Sequence, residues 1–89
     1  MLGHKFRRSL LNMKQIKFKT LDVRPNLARG EEPFALIRSR VDTLKAGEGV
    51  TVIAPFMPAP LIELLKSEGF QSTAEHHHDG GWTVNFWRE

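Results

Sequence analysis

The sequence predicts an α/β protein, an α+β two-layer sandwich with a mixed four-stranded sheet and two helices on one of its faces. Three observations carry that expectation. Apolar and polar residues alternate over 15–23 and 82–87, which is strand periodicity. Apolar residues recur at three- and four-residue spacing over 33–44 and 61–68, which is helix periodicity. Proline and glycine break the chain between these runs, in an order that reads β-α-β-α-β-β.

Each element has its own signal. In the first strand Ile16, Phe18 and Thr20 are expected on one face, with Lys17 and Lys19 on the other. Arg24 to Gly30 reads as a loop, with turn chemistry at Pro25, Asn26 and Gly30. Glu31-Glu32-Pro33 opens a helix: proline at the first position loses an N–H that had no partner, and the acids complement the dipole. Phe34, Ile37, Val41 and Leu44 form its inner stripe, and Gly47 stops the run. Val50 to Ala54 is β-branched and short, a second strand. A proline-studded connection, Pro55 to Pro60, leads to a second helix, Leu61 to Glu68, with Leu61, Leu64 and Leu65 inward. Phe70 to His77 is the third strand, Asp79-Gly80-Gly81 a hairpin turn, and Trp82 to Trp87 the fourth.

The expected core is Ile16, Phe18, Phe34, Ile37, Val41, Leu44, Val52, Leu61, Leu65, Trp82, Val84 and Phe86. Both β-α-β units are expected to cross over right-handed, so the helices share a face. The open face is then expected to carry Lys17, Lys19, Thr51, Ile53, Thr83, Asn85 and Trp87. Ile53 and Trp87 are apolar on that wet surface, which is the basis for expecting a weak homodimer through it.

Composition bounds the function. The 89 residues suffice for one small domain, expected at 13–89. There is no cysteine, which excludes disulfides, thiolate metal sites, Fe–S clusters and a cysteine nucleophile. No apolar run approaches the roughly 20 residues of a membrane span. The formal charge of +3 hides an asymmetry: residues 1–20 hold six basic side chains and no acid, whereas residues 21–89 hold seven basic and ten acidic, a net −3. Residues 1–12 match no element of the fold and are expected to form a basic, disordered extension, with Met13 a plausible start. Ser9-Leu10-Leu11-Asn12 is too short for a secretory core, and a cytoplasmic protein is expected.

Two constellations are candidates for chemistry. His76-His77-His78 offers imidazoles suited to zinc, nickel or copper. On a strand only His76 and His78 share a side, which makes a weak site beside the plainer reading of an exposed strand end. The loops after the first two strands meet at one sheet edge, bringing Arg24, Arg29 and Gly30 near Phe56 and Met57. With the helix start at Pro33 they are candidates to hold a small anion or acidic peptide, although Glu31 and Glu32 oppose this. Arg24 is expected to brace the loop through Asp22 or Glu32, leaving Arg29 as the ligand contact. No catalytic residues can be assembled: there is no carboxylate pair, no Ser-His-Asp arrangement and no phosphate-cradling glycine loop. No cofactor is expected.

Leu21-Asp22-Val23-Arg24, then a loop and Glu32-Pro33, resembles the opening of the TusA/SirA-like proteins. The chain is more similar to a bacterial family catalogued as domain of unknown function 2249. The residues that carry this likeness are Leu21 to Pro25, Gly30, Glu32 to Phe34, Ala54 to Phe56, Pro58, Pro60, Leu61, Gly69 and Phe70. They span about residues 20–88. The resemblance implies a sheet of strand order 1-2-4-3 and no established activity. It also implies a setting in bacterial redox or nitrogen-oxide metabolism. TusA-type carriers place a persulfide-forming cysteine before the first helix. Here Ala28 stands at that position and the loop is two residues longer, so sulfur transfer through a protein persulfide is excluded.

The expected function is a non-enzymatic module that binds a protein partner or a small anionic ligand. Two alternatives belong to other classes. One is nucleic-acid binding through the basic N-terminal end, on a topology that resembles the C-terminal domain of translation initiation factor three. The other is metal binding through His76 and His78.

Overall fold

The computed structural model of the chain describes residues 16–88. The extension expected at residues 1–12 lies outside them. Seven elements follow in order: β1 (Lys17–Asp22), α1 (Arg24–Ala28), α2 (Pro33–Asp42), β2 (Glu48–Ala54), α3 (Ala59–Ser67), β3 (Gln71–His76) and β4 (Trp82–Trp87). The sheet has the order β1-β2-β4-β3, with β1 and β2 parallel and the other pairs antiparallel. This is the mixed α+β sandwich expected from the sequence.

The core lies between one sheet face and α2 and α3. Val52, Val84 and Phe86 of the central strands are fully buried, against Ile37 and Val41 of α2 and Leu61 and Leu65 of α3. Gly69 shapes one corner. It takes φ +93° after α3, and the N–H groups of Phe70 and Gly69 then donate to the carbonyls of Leu65 and Lys66. That is a Schellman closure, and it turns Phe70 into the core. At the hairpin, Gly80 at φ +89° closes a turn in which its N–H donates to His77 O, while His77 N–H donates to Gly81 O.

Three expectations need correction. The segment Arg24 to Gly30 is not all loop: residues 24–28 form the short helix α1. Pro25 sits in its first turn, where proline costs little, and Leu27 orders the turn by packing against the core. The sandwich therefore has three helices.

The second correction is the phase of β1. Leu21 pairs with Val52 and points into the core with it, so Lys17 and Lys19 share the helix side. Phe18 pairs with Gly49 and lies on the open face, beside Trp87. The strand carries apolar residues of both parities, and local alternation selected the wrong set. A one-residue change of phase exchanges every side chain between faces. The true inward residues are Leu21 and Val23, the latter 1% exposed.

The third correction concerns depth. Ile16, Phe18, Leu44 and Trp82 are half-buried, and Phe34 is exposed. Leu64, expected inward, is also exposed.

The open face keeps Thr51, Ile53, Thr83, Asn85 and Trp87, as expected. A polar ladder crosses it: Thr51 Oγ1 lies 2.6 Å from Asn85 Oδ1, and Asn85 Nδ2 donates to Thr73 Oγ1 at 3.1 Å. Trp87 is only 5% exposed, and the half-buried Phe18 joins it on this face in place of Lys17 and Lys19.

Candidate functional site

The parallel pair β1–β2 runs out at Val23 and Ala54, and the segments leaving these ends build the site. The chain from β1 returns through α1 to start α2 at Pro33. The chain from β2 passes Phe56 and Pro58 to start α3 at Ala59. Both helices thus begin above the same sheet edge. Between them lies a cavity of about 170 Å³. Val23 and Ala54 line its floor, Ile37 and Leu61 its helix walls, and Phe34 and Phe56 its mouth. Phe34 is 38% and Phe56 48% exposed, although phenylalanine is among the residues most often buried.

The cavity is almost entirely apolar. Glu32 is its one titratable lining residue among those described, and its carboxylate is already engaged. It caps α2, accepting from Phe34 N–H at 2.8 Å. Prolines occupy the first turns of both helices and remove donors that an anion would need.

The residues singled out from the sequence fall into two groups. Phe56 lines the cavity, and Met57 follows it, 45% exposed. Arg24, Arg29 and Gly30 do not line it. Arg24 is bound to Asp22 by a two-pronged contact, Nε to Oδ1 at 2.9 Å and Nη2 to Oδ2 at 2.8 Å. Asp22 Oδ1 also accepts from Arg24 N–H at 3.0 Å, so Asp22 braces the entry to α1. The guanidinium holds the Asp22 carboxyl below its ordinary pKa. Arg29 is gripped in the same way by Glu31, at 2.9 and 3.2 Å, and Asn26 donates to that carboxylate too. These contacts hold the Glu31 carboxyl below its ordinary value. Gly30 takes φ +77° at the exit of α1.

The histidines are also separated. β3 ends at His76, whose ring stacks on Trp82 with centroids 4.4 Å apart. His77 contacts the Thr83 hydroxyl. His78 sits in the turn, so strand alternation does not align it with His76. Among the described residues, no three His, Cys, Asp or Glu side chains converge as metal ligands.

Sequence reasoning missed the helix walls of the cavity. Ile37 and Leu61 carry core periodicity, which gives no sign that a space remains between them. It also missed a second groove, of about 290 Å³, at the opposite end of β1. Lys17, Lys19, Arg40 and Lys45 line it, with Glu48 as its one acid. The wrong phase of β1 concealed it.

Fold and site together define a small mixed-sheet sandwich with an apolar cavity at a parallel strand edge and no assembled catalytic group among the described residues. The chain belongs to the family of uncharacterized conserved proteins described as DUF2249, whose model matches residues 20–88. No curated protein and no solved structure matches the chain. No helix among the described residues is long and apolar enough to cross a membrane.

Proposed function

We propose that the chain is a non-catalytic binding module, and that the cavity between Phe34 and Phe56 receives a compact apolar group. That group belongs to a small ligand or to one side chain of a partner protein. The observation that carries this reading is a preformed apolar space with two exposed aromatic rings at its mouth. An empty apolar cavity of about 150 Å³ admits benzene or xenon in other proteins, and this one is of similar size. Specificity would come from shape, because apart from Glu32, whose Oε1 caps α2, the lining is apolar.

A two-dimensional NMR titration of the full chain with benzene tests the reading. Amide shifts should cluster at Phe34, Ile37, Phe56 and Leu61, and should saturate. Phe56→Ala should weaken binding while leaving the rest of the spectrum intact. Shifts scattered over the open sheet face, or none, would remove the cavity as the site.

A further inference from the structure

We propose that the groove lined by Lys17, Lys19, Arg40 and Lys45 binds the phosphate backbone of single-stranded nucleic acid. The proposal is independent of the apolar cavity, which lies at the other end of β1.

The first support is the distribution of paired and unpaired charge. Four acids of the body are matched to particular arginines: Asp22 to Arg24, Glu31 to Arg29, and Asp42 and Glu68 to Arg38. None of the four groove cations forms a salt bridge among the described residues. Glu48, the one acid in the groove, uses Oε1 to accept from Lys45 N–H at 2.8 Å. That contact closes the turn into β2 and leaves the Lys45 ammonium unneutralised. Residues 16–88 hold nine basic and nine acidic side chains, so a body with no net charge presents a local cluster of four positive charges to one negative.

The second support is shape. β1 is an edge strand, and Lys17 and Lys19 lie two residues apart on one side of it, a spacing of about 7 Å. Arg40 and Lys45 face them from the end of α2 and the segment after it. Lys17 and Lys19 are spread along the strand rather than converging on a point, which suits a chain of phosphates better than a single one. Residues 1–16, which precede β1 in the sequence, carry four further cations and no acid. The large exposed apolar side chains, Phe34, Phe56, Met57 and Leu64, lie outside this groove. A bilayer surface would draw on such residues for insertion, so the groove fits a polyanion in water.

Contacts of this kind weaken steeply with salt, because each neutralised phosphate releases bound counterions. Fluorescence anisotropy of a labelled single-stranded oligonucleotide, titrated with the full chain over a salt series, reads this directly. Binding is expected at low salt. Lys17→Gln combined with Lys45→Gln should weaken it about tenfold and make the log–log salt slope shallower by about 0.7 for each phosphate left without its lysine. Arg29→Gln, which removes a cation already paired with Glu31, should change neither quantity. Circular dichroism melts should show both variants folded. The proposal is overturned if the oligonucleotide does not bind. It is also overturned if the double variant binds like the parent chain, since the groove lysines would then not carry the binding. Binding to vesicles containing phosphatidylglycerol with none to the oligonucleotide would assign the groove to lipid and overturn it equally.

Discussion

Phe18 and Trp87 meet edge to face across Gly49, with ring centroids 6.1 Å apart and planes at 81°. They belong to β1 and β4, which are not neighbours; β2 runs between them. Contact is made because the residue between them has no side chain. A Cβ on Gly49 would lie 2.5 Å from Phe18 Cε1 and 2.7 Å from the Phe86 carbonyl oxygen. Three strands are tied by one aromatic contact over a glycine, on the face that no helix covers.

Gly49→Ala should therefore destabilise the fold, by about 1–3 kcal/mol, the usual range for overpacking. Adding Phe18→Ala frees the ring clash but not the carbonyl clash. The double variant should be more stable than the sum of the two single effects implies. Urea denaturation of the four chains of this cycle checks it, and strict additivity would mean that the ring does not fill the glycine's space.

Leu65 is fully buried on the inner face of α3. Leu65→Ala should cost about 2–5 kcal/mol in the same measurement, from reduced burial and the space left behind. A cost below about 0.5 kcal/mol would place this helix face outside the core.

Arg38 clamps α2 to the end of α3 through Glu68, at 2.6 and 2.8 Å, and also contacts Asp42. Hydrogen bonding to Arg38 lowers the Glu68 pKa from its ordinary value. A carboxyl with a lowered folded pKa binds its proton more readily in the unfolded chain. Its stabilising contribution is complete above the ordinary carboxylate pKa of about 4 and is lost as pH falls through the lowered value. Glu68→Gln should lower the urea midpoint near neutral pH and flatten its decline under acid. Parallel curves for the two chains would show that the clamp contributes nothing.

Arg24→Ala removes the brace on Asp22, not a ligand contact. Its expected signature is a lower melting temperature with benzene binding at the cavity unchanged, read by calorimetry and NMR. Abolished binding at unchanged stability would return Arg24 to the site.

The extent to which the site was legible differs residue by residue. Phe56 and Met57 stood out as apolar tips in a proline-rich connection, and both are exposed where the sequence placed them. Asp22 was legible as the brace partner of Arg24, whereas Arg29 read as a ligand contact because a sequence shows a cation without its partner. Their partners, Asp22 and Glu31, are two residues away, and the pairing depends on how the backbone turns at α1. The cavity had no sequence signal, since Phe34, Ile37 and Leu61 carry the same helical periodicity whether the space beside them is filled or empty.

Local chemistry was enough for whatever a short stretch of chain decides. Pro33, Gly69 and the turn at Asp79 to Gly81 set where elements start and stop, and β-branched runs separated strands from helices. From these came the β-α-β-α-β-β succession along the chain and the two long helices, whereas the strand order 1-2-4-3 came from the family resemblance, and the absence of cysteine excluded persulfide chemistry. The face of β1 was a different kind of question. Leu21 and Phe18 compete for the interior with similar apolar character, and what decides between them is Val52 on one neighbouring position and Gly49 on the other. Those partners are about thirty residues away, and only pairing in the sheet brings them alongside. That pairing sends Leu21 inward and Phe18 across Gly49 to Trp87, and it carries Lys17 and Lys19 to the helix side, where they meet Arg40 and Lys45.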